Sequence, residues 1–366
     1  PYQMSVTVLR KGLAPQMAVV PGTGELQLEP STWDERTIDF QLDEGSPLTI
    51  RVTDSQGKPV EKVTLHAGDL QVSILTLGAI VQDVRLNGVD YGLTLGSDTL
   101  ADYETVMGYH GALVGPIANR ISNGRVRLDG MMYELERNDG AGHLHSGSDG
   151  THAQIWTIAQ QSDSSVTLTL DLADGINGLP GRRQISATFT VTAPATLTLD
   201  MTGTTDTKTL MNFANHSYWN LDGSNTWAGH KLQVTADQYL PTDAANAPTG
   251  EICDVTGTEM DFRTARSFDK AAPALDHNFC LDDATELRDV LWLAGTSGIA
   301  MTVATTAPGI QVYDGRAAQR PGRATYEGLA IEPQHWPDAP NHRGFPSITV
   351  APDAPYRQTS RWAFTA

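Results

Sequence analysis

"VTLTLDL" (166–172), "ISATFTV" (185–191) and "LTLDM" (197–201) repeat one pattern three times. Apolar residues fall on every second position: Val166, Leu168, Leu170 and Leu172, then Ile185, Ala187, Phe189 and Val191, then Leu197, Leu199 and Met201. A period of two is the spacing of one face of a β-strand, and the threonines filling the other positions suit a pleated surface. The joints "ADGINGLPGRR" (173–183) and "TAPAT" (192–196) carry the Gly, Pro, Asn and Asp of turns. Helical signal is confined to short pieces such as "SDTLADYETV" (97–106), where Ser97 or Asp98 is placed to cap a turn or two. Chains of this kind bury their strands by stacking antiparallel sheets, so the predicted class is all-β, a large antiparallel β-sandwich. No repeat of fixed period is visible, which argues against a propeller or solenoid. The alternation predicts a single domain over 46–366. Residues 1–45, including "VVPGTGELQLEPSTWDE" (19–35), read as an N-terminal extension of uncertain order.

The 366 residues carry 43 acidic and 25 basic side chains, a formal charge of −18. Such a surface repels nucleic acid and anionic membrane, and favours a neutral small molecule as partner. The two cysteines, Cys253 and Cys280, make no disulfide framework, although a single bridge between them stays open. No apolar run approaches the roughly 18 residues of a membrane span, and "PYQMSVTVLRKGLAPQ" (1–16) lacks the apolar centre of a signal peptide. A cytoplasmic protein, monomeric or homodimeric, is the expectation, provisional because the chain opens on Pro1 and an upstream segment could have been removed.

Five stretches set functional groups beside glycines and turns: "GPIANRISNG" (115–124), "GHLHSG" (142–147), "NFANHSYWN" (212–220), "LDHNF" (275–279) and "IEPQHWPDAPNHRGFP" (331–346). Each has a bland reading. Asn119 and Arg120 suit a turn amide and a surface charge, Asp276 suits a turn, and His216 alone suits a hydrogen-bonded structural histidine. His143 and His145 stand two apart, as a metal pair on one strand face would, but no carboxylate or cysteine completes a ligand set in that motif. Glu332 is harder to set aside. It follows the apolar "GLAI" and precedes Pro333, so it should end a strand with its carboxylate near or under the sheet surface, where burial raises a carboxyl pKa toward that of a general base. An ion pair with Arg120 is the competing structural role. Trp219, Trp336 and Tyr218 offer flat apolar faces suited to a sugar ring, and core packing explains any one of them equally well. The inventory points to acid–base chemistry on a neutral polyol, without cofactor or metal.

In these stretches the sequence resembles the aldose 1-epimerases, the galactose mutarotase family. "ANRISNGRVRLDG" (118–130), "HLHSG" (143–147), "NHSYWNLDG" (215–223), "YLPTD" (239–243), "LDHNF", "PGIQVYDG" (308–315) and "IEPQHWPDAPNH" (331–342) follow in the family's order, from about residue 60 to the C-terminus. The resemblance implies the family's very large β-sandwich with a groove on one sheet. It also implies Glu332 as general base, His216 as general acid, and His145, Asn119, Arg120 and Asp276 as sugar contacts. Gln334, two residues after the base, is expected on the same strand face. Pro116, Ser146 and Pro333 stand where the family usually has arginine, glycine and threonine. "SDGTHAQIW" (148–156) replaces a Gly-Phe-acid element. These departures are expected to alter the rim of the site.

The activity so implied is interconversion of the α and β anomers of a free aldose such as glucose or galactose. Glu332 as carboxylate takes the C1 hydroxyl proton while protonated His216 gives one to the ring oxygen, which calls for a histidine pKa raised by nearby negative charge. Rival readings are a non-catalytic sugar-binding module, an epimerase of a pentose or modified sugar, and a glycosidase using Asp276 with Glu332. A hexose 6-phosphate epimerase is disfavoured because the motifs supply a single arginine and no basic cluster.

Overall fold

In the computed structural model of the chain, residues 2–10, 17–19, 26–28, 33–42, 49–268, 270, 273–282 and 285–366 are described, with side chains from residue 52 onward. The three stretches of alternating sequence become the neighbouring strands Ser165–Leu172, Arg183–Thr192 and Thr196–Thr205. Their register sets Val166 opposite Phe189 and Leu168 opposite Ala187, then Phe189 opposite Leu199 and Ala187 opposite Met201. Apolar side chains are thereby stacked across strands on one face, which is the unit of sheet stabilisation. The opposite face carries hydroxyl pairs, Thr167 with Thr188 at 3.0 Å and Ser165 with Thr190 at 3.1 Å.

Among the described residues these strands belong to a nine-stranded sheet, antiparallel throughout, that continues through Tyr356–Thr365, Ala300–Thr305, Arg288–Ala294, Lys231–Val234 and Arg266–Ser267. A six-stranded antiparallel sheet, in the order Tyr218–Trp219, Leu329–Gln334, Gly309–Tyr313, Asp276–Cys280, Gln238–Tyr239 and Cys253–Asp254, packs on it. The shared core unites Val166, Phe189, Leu199 and Trp362 of the large sheet with Phe279, Ile310, Val312 and Ile331 of the smaller one. Strands Pro59–Ala67, Leu70–Leu75 and Ile80–Leu86 add Leu65, Val72 and Val84 to the same core. The predicted large antiparallel sandwich is the fold observed.

Helix is scarce. The turn foreseen in 97–106 spans Leu100–Tyr103, and its N-cap is Thr99, not Ser97 or Asp98. The Ser97 hydroxyl instead accepts the Thr99 N–H at 3.0 Å, one step outside the cap position. Cys253 and Cys280 are free thiols. No helix among the described residues is long and apolar enough to cross a membrane. The boundary expected near residue 45 lies outside the described residues. On its N-terminal side, the backbone of Tyr2–Arg10 pairs with Trp33–Leu42, and Leu26–Leu28 pairs with Thr49–Thr53.

Candidate active site

Strand alternation builds the floor of the site. In the six-stranded sheet Leu329, Ile331, Ile310, Val312 and Phe279 face the core. The register Glu332–Gln311–Asn278 and Ala330–Tyr313–Asp276 therefore puts these polar side chains on the other face. Glu332 lies inside the strand Leu329–Gln334 and not at its end. Pro333 is tolerated beside it because the neighbouring strand Tyr218–Trp219 pairs only with Ala330 and Leu329. Beyond that point the side chain of Asn212 takes over, accepting the His335 N–H at 2.9 Å and donating to the His335 carbonyl at 3.3 Å.

His216 is fixed by its backbone, which donates to the Ala112 carbonyl at 2.9 Å and accepts the Gly111 N–H at 3.0 Å. Asn215 donates its amide to the Gly111 carbonyl at 2.8 Å, and Asn220 donates to the Glu327 carbonyl at 2.6 Å. The amides of "NFANHSYWN" are thus staples that hold the loop, and only His216 and Tyr218 of that stretch reach the cavity. Asn119 and His145 lock each other. The Asn119 N–H donates to His145 Nδ1 at 3.0 Å, and the His145 N–H donates to the Asn119 carbonyl at 3.1 Å. Both residues have positive φ, 63° and 50°, a conformation uncommon outside glycine that is held by this pair of hydrogen bonds. Arg120, next in line, donates to Asp139 at 2.8 Å and Asp276 at 3.3 Å, while Gln311 donates to the other Asp276 oxygen at 2.7 Å.

These groups meet around a cavity of about 530 Å³. His216 Nε2 lies 3.6 Å from Glu332 Oε1, with Glu332 only 2% and His216 5% exposed. Glu332 Oε2 and His216 Nδ1 have no hydrogen-bond partner. Burial pushes the Glu332 carboxyl well above the ordinary range; the charge of Asp276 adds to this and Arg120 opposes it. Burial also drives His216 down to about 4, and drives His145 well below its usual value. The expectation of a histidine pKa raised by negative charge is therefore reversed, because desolvation dominates and the charge of His152 adds to it, against a smaller opposing backbone hydrogen bond.

His145, His216 and Glu332 bring ligand-type atoms within 4.8 Å of one another, a set that invites a metal. The tautomer opposes it. With Nδ1 of His145 accepting the Asn119 N–H, the neutral ring carries its proton on Nε2 and offers the cavity a donor, not a lone pair. His143 turns away from the cavity, its Nδ1 2.6 Å from the Glu136 carbonyl.

Of the residues anticipated, Glu332, His216, His145, Asn119, Arg120 and Asp276 all line the cavity. Gln334 does not. It is fully buried, and both polar atoms of its amide lack partners. The competing Glu332–Arg120 ion pair does not form, since Arg120 is engaged by Asp139 and Asp276. Trp219 packs into the core against Trp362 and Phe364, and Trp336 packs on Phe345 while donating to the Pro308 carbonyl. Pro116, Ser146 and Pro333 are buried and do not form the rim.

Sequence reasoning missed Tyr109, His152, Tyr313 and Arg316, which complete the wall. Tyr313 was discoverable, two positions after Gln311 in "PGIQVYDG" and so on the same face. Tyr109 is central: its ring stands 4.8 Å from those of His145 and His152 and 5.9 Å from that of His216. Arg316 makes the count of cavity arginines two, not one, but Asp314 holds its guanidinium at 2.6 Å, as Asp139 and Asp276 hold Arg120.

Known proteins resemble this chain in sequence and fold. The chain is 33% identical to the galactose mutarotase of Bos taurus over 325 residues, covering 84% of this chain and 94% of that one. It is 31% identical to the aldose 1-epimerase of Escherichia coli K12 over 336 residues, covering 85% and 96%. Among solved structures, a GalM/aldose epimerase homologue from C. elegans superposes with a TM-score of 0.76 at 29% identity, over 87% of this chain and 99% of that one. A galactose 1-epimerase from Lactobacillus acidophilus NCFM gives 0.77 at 26%, over 88% and 99%. With the family model for aldose 1-epimerase matching residues 61–362, this chain belongs to the aldose 1-epimerase family.

Proposed function

We propose that this chain interconverts the α and β anomers of a free aldose such as glucose or galactose, with Glu332 and His216 as the proton-transferring pair. The observation that carries the reading is a buried carboxyl and imidazole 3.6 Å apart at the floor of an open cavity lined by polar and aromatic side chains. Opening a cyclic hemiacetal requires that a proton leave the C1 hydroxyl as another reaches the ring oxygen. The pair must therefore hold one proton between its members. A raised Glu332 and a lowered His216 satisfy that count, the carboxyl being the favoured place for the proton. Its passage to the imidazole, directly or through the sugar hydroxyls, yields the carboxylate base and imidazolium acid. Glu332 then takes the C1–OH proton while His216 protonates the ring oxygen, the C1–O bond to the ring breaks, and the aldehyde forms. Rotation about C1–C2 presents the other carbonyl face, and the same two transfers run backward to the second anomer.

Arg120, aligned by Asp139 and Asp276, is oriented to donate to sugar hydroxyls, as is His145 through its Nε2–H. The glycosidase reading fares worse, because the partner within reach of Glu332 is an imidazole and Asp276 is engaged by Arg120 and Gln311. We assign the activity to a single unit over 46–366, acting on a monosaccharide as a monomer or homodimer. A cytoplasmic setting is supported by the lack of a disulfide framework.

The test is polarimetry of freshly dissolved α-D-glucose and α-D-galactose at neutral pH with a chelator present. The wild-type chain is expected to accelerate the approach to anomeric equilibrium, and Glu332→Gln to lose at least about a hundredfold of that acceleration. A folded wild type that accelerates neither sugar would remove the reading for these aldoses, and full turnover in Glu332→Gln would remove Glu332 as the base.

A further inference from the structure

One cavity residue has no part in the chemistry above. His152 lies in "SDGTHAQIW", the stretch where this chain departs from its family's pattern, and of the departures noted from sequence this segment alone reaches the cavity wall. Its seat is built for an imidazole. The ring packs edge-on against Tyr109, 4.8 Å between centroids, and Tyr109 also contacts His145 and His216. The other boundary is Gly150: a Cβ there would stand 2.6 Å from His152 Nδ1 and Cε1 and 2.5 Å from the His145 carbonyl oxygen. Any side chain at 150 would collide with both the ring and the His145 carbonyl.

The two nitrogens differ. Nδ1 is buried against Gly150 without a partner, whereas Nε2 has no protein partner and is not sealed off. Burial holds the ring neutral, down to about 4. A neutral imidazole has one N–H, and the dry Nδ1 site offers nothing to receive it, so the proton belongs on Nε2, where a ligand can accept it.

We infer that His152 is a substrate-recognition residue, donating through Nε2 to one ring hydroxyl of the aldose other than the anomeric one, and that it sets part of this chain's sugar preference. The inference rests on the aldose reading of the site. His152 binds and selects; it moves no proton in the reaction.

The experiment uses the full chain and a panel of glucose and its 2-, 3-, 4- and 6-deoxy derivatives, followed by polarimetry and by titration calorimetry. His152→Phe keeps a ring against Tyr109 but removes both nitrogens. The variant is expected to raise KM and Kd for glucose by about three- to tenfold, the worth of one neutral hydrogen bond, with kcat within about twofold. One deoxy sugar of the panel, the one lacking the contacted hydroxyl, should be insensitive to His152→Phe. Wild-type affinity for glucose in His152→Phe, or equal losses on every sugar, would overturn the inference and leave His152 as packing. Sugar binding without turnover in the wild type would defeat the proposed reaction while the calorimetric panel still decides the role of His152. No binding of any aldose would overturn both.

Discussion

The strands of 165–205 and those of 276–334 obey the same period of two but spend their second face differently. In the first region the inward residues Val166, Phe189 and Leu199 are matched by an outward face of threonines that bond one another. In the second, the inward face is equally apolar. Its other face, however, buries Glu332, Gln311, Asn278 and Gln334, each with at least one polar atom lacking a protein partner. Unsatisfied buried groups are destabilising and therefore rare. Of these Glu332 lines the cavity, where His216, His110 and His152 also keep partnerless buried atoms, and there the molecule gives up stability to hold reactive groups ready for a ligand.

Substitutions on the two sheets should separate accordingly. The largest effect is expected for His216→Asn, a fall in kcat of about 10²–10⁴-fold with the fold retained. The wild-type pH profile belongs to the same test. The pair loses its base when His216 gains a second proton and its acid when Glu332 loses its own, so kcat/KM should fall as pH drops through about 4 and fall again as pH rises through the raised titration of Glu332. On the nine-stranded sheet, Phe189→Ala should lower unfolding free energy by about 3–5 kcal/mol in denaturant titration while the folded fraction turns over normally. A loss of kcat there without a loss of stability would dissolve the distinction between the sheets. Arg120→Met is expected to reduce kcat/KM by the equivalent of about 1.5–3 kcal/mol. It should also shift the alkaline limb upward, since Arg120 is the charge that opposes the rise of Glu332.

How far the residues could be read before the fold was known follows the same division. Alternation is local, so the strands around Phe189 were legible, as were Glu332 and His216 through motifs in a familiar order. Trp219 and Trp336 stay open between sugar face and core in the sequence because an aromatic residue carries no mark of which face meets the core. Tyr109, His152 and Arg316 were missed because a cavity wall is assembled from residues about 40 to 210 positions apart, and no period links them. The protonation of the pair was inverted because sequence reveals neighbouring charges more readily than depth of burial.

The central claim is that the site sheet holds a buried carboxyl at the expense of stability. Thermal unfolding of the wild type and Glu332→Gln at about pH 5 and pH 8 tests it most directly. A carboxyl whose pKa is raised on folding binds more protons in the folded state, so stability is lost as pH rises above the unfolded carboxyl range. The glutamine variant escapes that loss: it should melt above the wild type at pH 8, with a smaller difference at pH 5. A variant melting at or below the wild type at pH 8 would contradict the account.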